Sequence, residues 1–181
     1  MVLDDGLWHH PLFAEAFDDV LRIRLQEAAR RAGEIVDELS RLPLGTGHCD
    51  ASSNNLLVID EDNGFILIDY GTWNEAPIGF DLGQLLVGDV QIGRRAASLL
   101  SETEEAILPA YVAGLGDEGY DLDAAVVRRA HALHLLLFTG LSTPPFDYLD
   151  AATSPALLHI AKERASIARF SLDLLDETAP V

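Results

Sequence analysis

The sequence is short of cations. Its 181 residues hold 12 lysine and arginine side chains against 30 aspartates and glutamates, and only Lys162 is a lysine. A formal net charge of -18 repels other polyanions at long range, so nucleic acid and anionic membrane are not expected partners. A cationic partner would be attracted. Cysteine is nearly absent as well: Cys49 stands alone, which excludes an internal disulfide framework and makes a cytoplasmic setting the expectation. Long hydrophobic runs are also missing, and stretches such as Leu133 to Phe138 are far too short to span a bilayer. The opening Met1-Val2-Leu3-Asp4-Asp5 is acidic where a secretory signal would be basic.

What is present suits an ordered globule: 49% of residues are hydrophobic and 23% charged, and a chain of this length can bury a core without staples. The expectation is one domain over residues 1–181. Residues 12–39 carry Phe13, Phe17, Val20, Leu21, Leu25, Ala28, Ala32, Ile35, Val36 and Leu39 at helical spacing, predicting one long amphipathic helix. Pro11 fits its start, Pro43 stops it from running on, and Gly33 is its expected weak point. From Phe80 onward, helices are expected over 80–88, 94–114, 122–140 and 154–176, with Asp121 and Ser154 as N-caps and Pro155 at a first helical position.

Between these helical regions the texture changes. Gly45 to Asn54 is rich in loop formers and has no periodicity. Two short apolar runs follow, Asn55 to Ile59 and Phe65 to Asp69, and Asn63-Gly64 between them predicts a β-hairpin turn. A hairpin brings the start of its first strand beside the end of its second. Asn55 and Asp69 are therefore expected at adjacent strand ends, with Asp50 in reach from the loop. Oxygen ligands of this kind suit magnesium, and a carboxylate left free of the metal could accept a proton from a hydroxyl. The fold class expected is α+β, mainly helical, with one small hairpin beside its most polar loop.

The run His48-Cys49-Asp50-Ala51-Ser52-Ser53-Asn54-Asn55-Leu56-Leu57 resembles the H-G-D-x-H-x-x-N-L-L segment of the aminoglycoside phosphotransferase and choline kinase-like families. Phe65-Ile66-Leu67-Ile68-Asp69-Tyr70 resembles their apolar strand ending in I-D-W or I-D-Y, and Asp81-Leu82-Gly83 the D-L-A that follows. The resemblance implies the C-terminal lobe of a protein kinase-like fold, moving the γ-phosphoryl of ATP or GTP onto the hydroxyl of a small molecule. It assigns Asp50 as base, Asn55 and Asp69 as Mg2+ ligands, His48 as a support of the loop and Asp81 as its brace. An N-cap for the helix after Phe80 is an equal reading of Asp81. The sequence departs from the pattern at Cys49, where the families have glycine, and at Ser52, Ser53 and Asn54, where they have His-Pro-Gly. Asn54, as the next-best residue to glycine at positive φ, is expected to keep the turn.

Upstream of His48 there is no glycine-rich loop and no strand lysine of the kind that grips phosphates in such kinases. Arg22, Arg24, Arg30, Arg31 and Arg41 lie in helix-forming sequence or its approach. The nucleotide-clasping N-terminal lobe is therefore expected to be absent, leaving a truncated kinase, a single-lobe protein or one completed by another chain. An exposed stripe on helix 12–39 would call for a homodimer partner or that missing lobe. The rival reading from another class is a non-catalytic ligand-binding or interaction module built on the same lobe. Cys49 as a nucleophile is disfavoured, because adjacent His48 points elsewhere. His131 and His134 are expected in the core, since no third metal ligand has suitable spacing. Trp73, Glu75, Asp89 and an acidic helix over 147–150 are weaker candidates for an acceptor site.

Overall fold

The computed structural model describes residues 1–59 and 64–179. The fold is α+β and mainly helical, with seven α-helices and two small antiparallel sheets among the described residues. The single helix expected over 12–39 is three: α1 (Pro11–Ala16), α2 (Asp19–Arg30) and α3 (Ala32–Leu39). The break after α1 has a local cause. Phe17 leaves helical geometry (φ -113°, ψ 111°), and the Asp18 carboxylate caps α2 by accepting from the Leu21 N–H at 2.8 Å. A capping aspartate can outweigh a continuous apolar pattern because it satisfies a helix-end donor. The second joint is Arg31, while Gly33, the expected weak point, lies inside α3.

The apolar positions of this segment still share a face. Phe13, Phe17, Leu21, Leu25, Ile35 and Leu39 are buried in one cluster with Trp8, Leu133, Leu136, Ala168 and Leu172. Val20 and Val36 are exposed. Most of the stripe is thus covered within the chain itself, by α7 (Pro155–Glu177) and the segment after α6 (Ala124–His134). Each fully buried Leu or Phe there is worth about 1.5–3 kcal/mol of transfer free energy. The long helix α7 packs on α1, α2, α4 (Phe80–Gln91) and α6, and a second cluster (Leu86, Val87, Val90, Ala132, Leu135, Ile167) forms on its other side.

Helix starts reflect their caps. Ser154 caps α7 by accepting from the Leu157 N–H, with Pro155 first in the helix, as expected. The α6 cap is Asp123 rather than Asp121: its side chain accepts from the Ala125 N–H at 2.8 Å. α6 is also shorter than the 122–140 expected, because Leu135–Thr139 form a π-helical turn. The helix expected over 94–114 is α5 (Leu100–Asp117), preceded by a 3-10 turn at Ala97–Leu99.

The hairpin expected downstream of the polar loop is present as β2 (Leu56–Val58) and β3 (Phe65–Leu67), paired antiparallel with Leu57 opposite Ile66. Of its predicted Asn63-Gly64 turn, Asn63 falls outside the described residues. Leu57, Val58, Phe65 and Ile66 are all about half or more exposed, so both faces of this ribbon carry uncovered apolar side chains. A second ribbon was not expected from the sequence. β1 (Leu44–Gly47) pairs antiparallel with β4 (Asn74–Pro77), placing Gly47 opposite Asn74. It clamps the two ends of the 48–73 segment together. Among the described residues, no helix is long and apolar enough to cross a membrane.

Candidate functional site

His48 emerges from β1 as a buried side chain, 4% exposed, and ties the polar loop to the end of the hairpin. Its Nδ1 accepts from the Asp50 N–H at 3.3 Å, so the ring proton sits on Nε2, which donates to the Ile68 carbonyl at 2.8 Å. Tyr70 packs edge-on against the ring at 4.8 Å. The Thr72 hydroxyl donates to the His48 carbonyl at 2.9 Å. One imidazole therefore links the residue before Asp69 to the amide of Asp50.

Asp81 holds the same loop from below. Its two carboxylate oxygens accept from consecutive amides, His48 N–H at 2.9 Å and Cys49 N–H at 2.7 Å. The residue lies in the first turn of α4, whose N-cap is Gly79, so Asp81 is not the cap that one sequence reading allowed. Charge-assisted bonds of this kind contribute roughly twice a neutral hydrogen bond. They secure a costly backbone: Cys49 has φ +62°, a left-handed conformation that disfavours an L residue by about 1–2 kcal/mol. The positive φ expected at Asn54 is found here instead, and Asn54 lies within a 3-10 turn, Ser53–Asn55. The Cys49 thiol is pushed above its usual range by burial, with the Asp81 charge adding to the effect. That disfavours a thiolate nucleophile.

Asn55 is 9% exposed and faces Asp50 directly. Its Nδ2 donates to the Asp50 carbonyl at 2.8 Å and to the Asp50 carboxylate at 3.1 Å. With the amide nitrogen committed, Oδ1 is the atom Asn55 can offer to a cation. The Asn55 carbonyl accepts from the Ile68 N–H at 2.9 Å, extending the β2–β3 ladder one step toward Asp69. Asp69 itself is exposed, in left-handed geometry (φ 62°, ψ 62°), just before the 3-10 turn Tyr70–Thr72. Strained non-glycine residues of this sort cluster at functional sites. His48, Asp50, Asn55 and Asp81 thus form one hydrogen-bonded neighbourhood, and Asp69 follows Ile68, whose backbone bonds to both His48 and Asn55.

The donor set is oxygen-rich and suits a hard divalent cation: one amide oxygen and carboxylates beside an open surface. No cluster of three or more His, Cys, Asp or Glu side chains arranged for a metal occurs among the described residues, and the set here depends on Asn55. No lysine or arginine of the described residues forms an ion pair with Asp50, Asp69 or Asp81. Lys162 stands 3.7 Å from Glu15, on α1.

The weaker candidates divide. Asp89 reaches the loop, accepting from the Ser53 hydroxyl at 2.9 Å. Trp73 and Glu75 are exposed without a side-chain bond to it. The acidic segment near 147 is a 3-10 turn, Phe146–Tyr148, rather than a helix over 147–150, and the half-exposed Asp147 is committed to a bidentate pair with the buried Arg164 at 2.6 and 3.0 Å. His131 and His134 are core residues, 0% and 3% exposed, and their ring nitrogens make no well-formed hydrogen bond, only poorly aligned approaches to the backbones of Gly79 and Pro77. Burial pushes both down to about 4, with the Gly79 and Pro77 backbones offsetting only part of it. Sequence reasoning missed Thr72 and Tyr70 as supports of His48, because their roles arise from a 3-10 turn with no periodic signature. No protein-family model, curated protein or solved structure matches this chain.

Proposed function

We propose that the chain is the catalytic lobe of a kinase-like small-molecule phosphotransferase, acting on a hydroxyl group. The observation that supports this reading best is the Asn55–Asp50 contact, an amide held against a carboxylate within a loop fixed by His48 and Asp81. In this reading the Asn55 amide orients Asp50, whose carboxylate accepts the acceptor hydroxyl's proton as its oxygen bonds to the γ-phosphorus of ATP or GTP and the bond from that phosphorus to the β–γ bridging oxygen breaks, releasing ADP or GDP. Asn55 Oδ1 and the Asp69 carboxylate are the groups that would hold Mg2+. When bound, that ion supplies charge neutralisation for the phosphate oxygens. His48 and Asp81 touch no reactant; they keep the Asp50 backbone in place.

Calorimetric titration with Mg-ATP, followed by turnover with a panel of small alcohols, tests the proposal. Asp50→Asn should retain nucleotide binding and lose about 10²–10⁴ in turnover. A chain that binds no Mg-ATP at millimolar concentration overturns the reading. A second reading, an interaction module without catalysis, is favoured by the apolar β2–β3 ribbon exposed on both faces. It is distinguished by concentration-dependent association in the ultracentrifuge with no nucleotide binding.

A further inference from the structure

The loop that carries Asp50 is held by α4 at two places. At the helix start, Asp81 accepts the His48 and Cys49 amides. Toward the helix end, Asp89 accepts from the Ser53 hydroxyl at 2.9 Å. The two carboxylates are separated by about 12 Å of helix axis, at a rise of about 1.5 Å per residue. Between them lies Gly88, two turns after Asp81 on the same face, and a Cβ there would stand 3.8 Å from the Ser52 side chain. The loop therefore runs along α4 in direct contact with it.

The second hold bears on Asn55. Ser53 opens the 3-10 turn Ser53–Asn55, and the Asn55 N–H donates to the Ser52 carbonyl at 3.0 Å. The Asn55 amide in turn donates to the Asp50 carbonyl and carboxylate. Asp89 has the firm footing that such a hold requires. Its carbonyl accepts from the Arg94 and Arg95 N–H groups at 2.9 and 3.2 Å. Two residues on, the Gln91 carbonyl accepts from the buried Arg164 at 3.0 Å. Stability of α4 gives no reason for an aspartate here, since a carboxylate in the last turn of a helix opposes the dipole.

We propose that Asp89 is a positioning residue: through the Ser53 hydroxyl it fixes the turn that sets the Asn55 amide against Asp50. With residues 48 and 49 held by Asp81 and Ser53 held by Asp89, Asp50 is confined from both sides. A displacement of about 1 Å at a reacting group can cost about 10²-fold in rate. The consequence for turnover rests on the reading of Asp50 as the base, whereas the placement of the Asn55 amide does not.

The test compares Ser53→Ala, Asp89→Ala, their double variant and the hydroxyl-preserving Ser53→Thr in the full chain. The readout is the Asn55 side-chain NH2 pair in NMR, which reports its bonds to Asp50 and needs no nucleotide. Both alanine variants should move that pair by similar amounts in the same direction, and the double variant no further than either. Ser53→Thr should leave it near its original position. A pair unmoved in both alanine variants overturns the proposal. Shifts that add in the double variant overturn it too, because they make the two side chains independent, as does a Ser53→Thr shift as large as that of Ser53→Ala. In turnover of Mg-ATP, kcat should fall about five- to twentyfold in either alanine variant at unchanged KM for Mg-ATP, and Ser53→Thr should stay within about twofold of the parent chain. A fall in kcat that Ser53→Thr shares in full counts against the hydroxyl and overturns the proposal. A chain that binds no Mg-ATP overturns the phosphotransferase reading alone, and the NMR comparison still decides the placement of Asn55.

Discussion

Asp81 lies 32 residues after Cys49 in the chain, yet its Oδ1 accepts the Cys49 amide at 2.7 Å and holds that residue at φ +62°. The partner oxygen accepts the neighbouring His48 amide. One side chain at the start of α4 thereby sets the backbone that presents Asp50. Asp81→Asn would keep the size but replace one acceptor oxygen with a donor facing an N–H. The expected cost is about 2–3 kcal/mol, from a lost charge-assisted bond and an unpaired amide. Urea unfolding would show it as a lower midpoint at unchanged slope.

Cys49→Gly should act in the opposite direction. Glycine adopts the left-handed region without the Cβ conflict of about 1–2 kcal/mol, and loses about 0.5–1 kcal/mol of that gain to unfolded-chain entropy. The net expectation is a stabilisation of several tenths of a kcal/mol to about 1 kcal/mol. Cys49→Val, which stiffens the side chain at a position that needs positive φ, should destabilise clearly. If the two variants shift the unfolding midpoint in the same direction, the strain assigned to this residue is wrong.

His131 and His134 predict a pH dependence with a definite sign. Both have folded values near 4 against an ordinary 6.5, so between those limits the unfolded chain binds more protons. Stability therefore rises with pH through this window and is lost as pH falls from about 6.5 toward 4. The combined effect is on the order of several kcal/mol. In the double variant His131→Leu/His134→Leu the slope of stability against pH from 6.5 to 5 should flatten. Because the ring nitrogens make no well-formed hydrogen bond, the double variant should be near neutral in stability at pH 7.5. An unchanged slope would place the titration elsewhere.

Gly79→Ala combines two penalties at the entry to α4. Gly79 has φ +84°, and a Cβ would come within 3.1 Å of the His131 backbone nitrogen. A left-handed alanine pressed against helix backbone should cost about 2 kcal/mol or more. Because α4 begins at the next residue, the His48 and Cys49 amide resonances should move as well. A variant that is destabilised with both resonances unmoved would separate Gly79 from the support of the loop.

How far the sequence foretells this molecule depends on the range of the interaction. The β2–β3 strands and the Ser154 cap were readable because short apolar runs around a turn-forming Asn-Gly pair, and capping residues, are local signals. The three-way division of residues 11–39 was not, although Asp18 supplied a cap signal; the apolar stripe continues across the break because all three helices face one core. Leu44–Gly47 shows no alternation and becomes a strand only because Asn74–Pro77 pairs with it. The candidate site divides the same way. Asp50, Asn55 and Asp69 stood out by residue type and spacing. The left-handed turn was assigned to Asn54 on intrinsic preference, yet it falls on Cys49, where the distant Asp81 secures it. Intrinsic preference is a weak guide where a long-range carboxylate decides the backbone.

The β2–β3 ribbon leaves apolar side chains uncovered on both of its faces. Two-stranded hairpins are marginal alone in water, and uncovered strand edges invite pairing between molecules. Opposing such pairing is a net charge of -18, whose reach shrinks from about 30 Å at 0.01 M salt to about 8 Å at physiological ionic strength. Salt should therefore promote association here, against the usual habit of adding it to keep a protein dispersed.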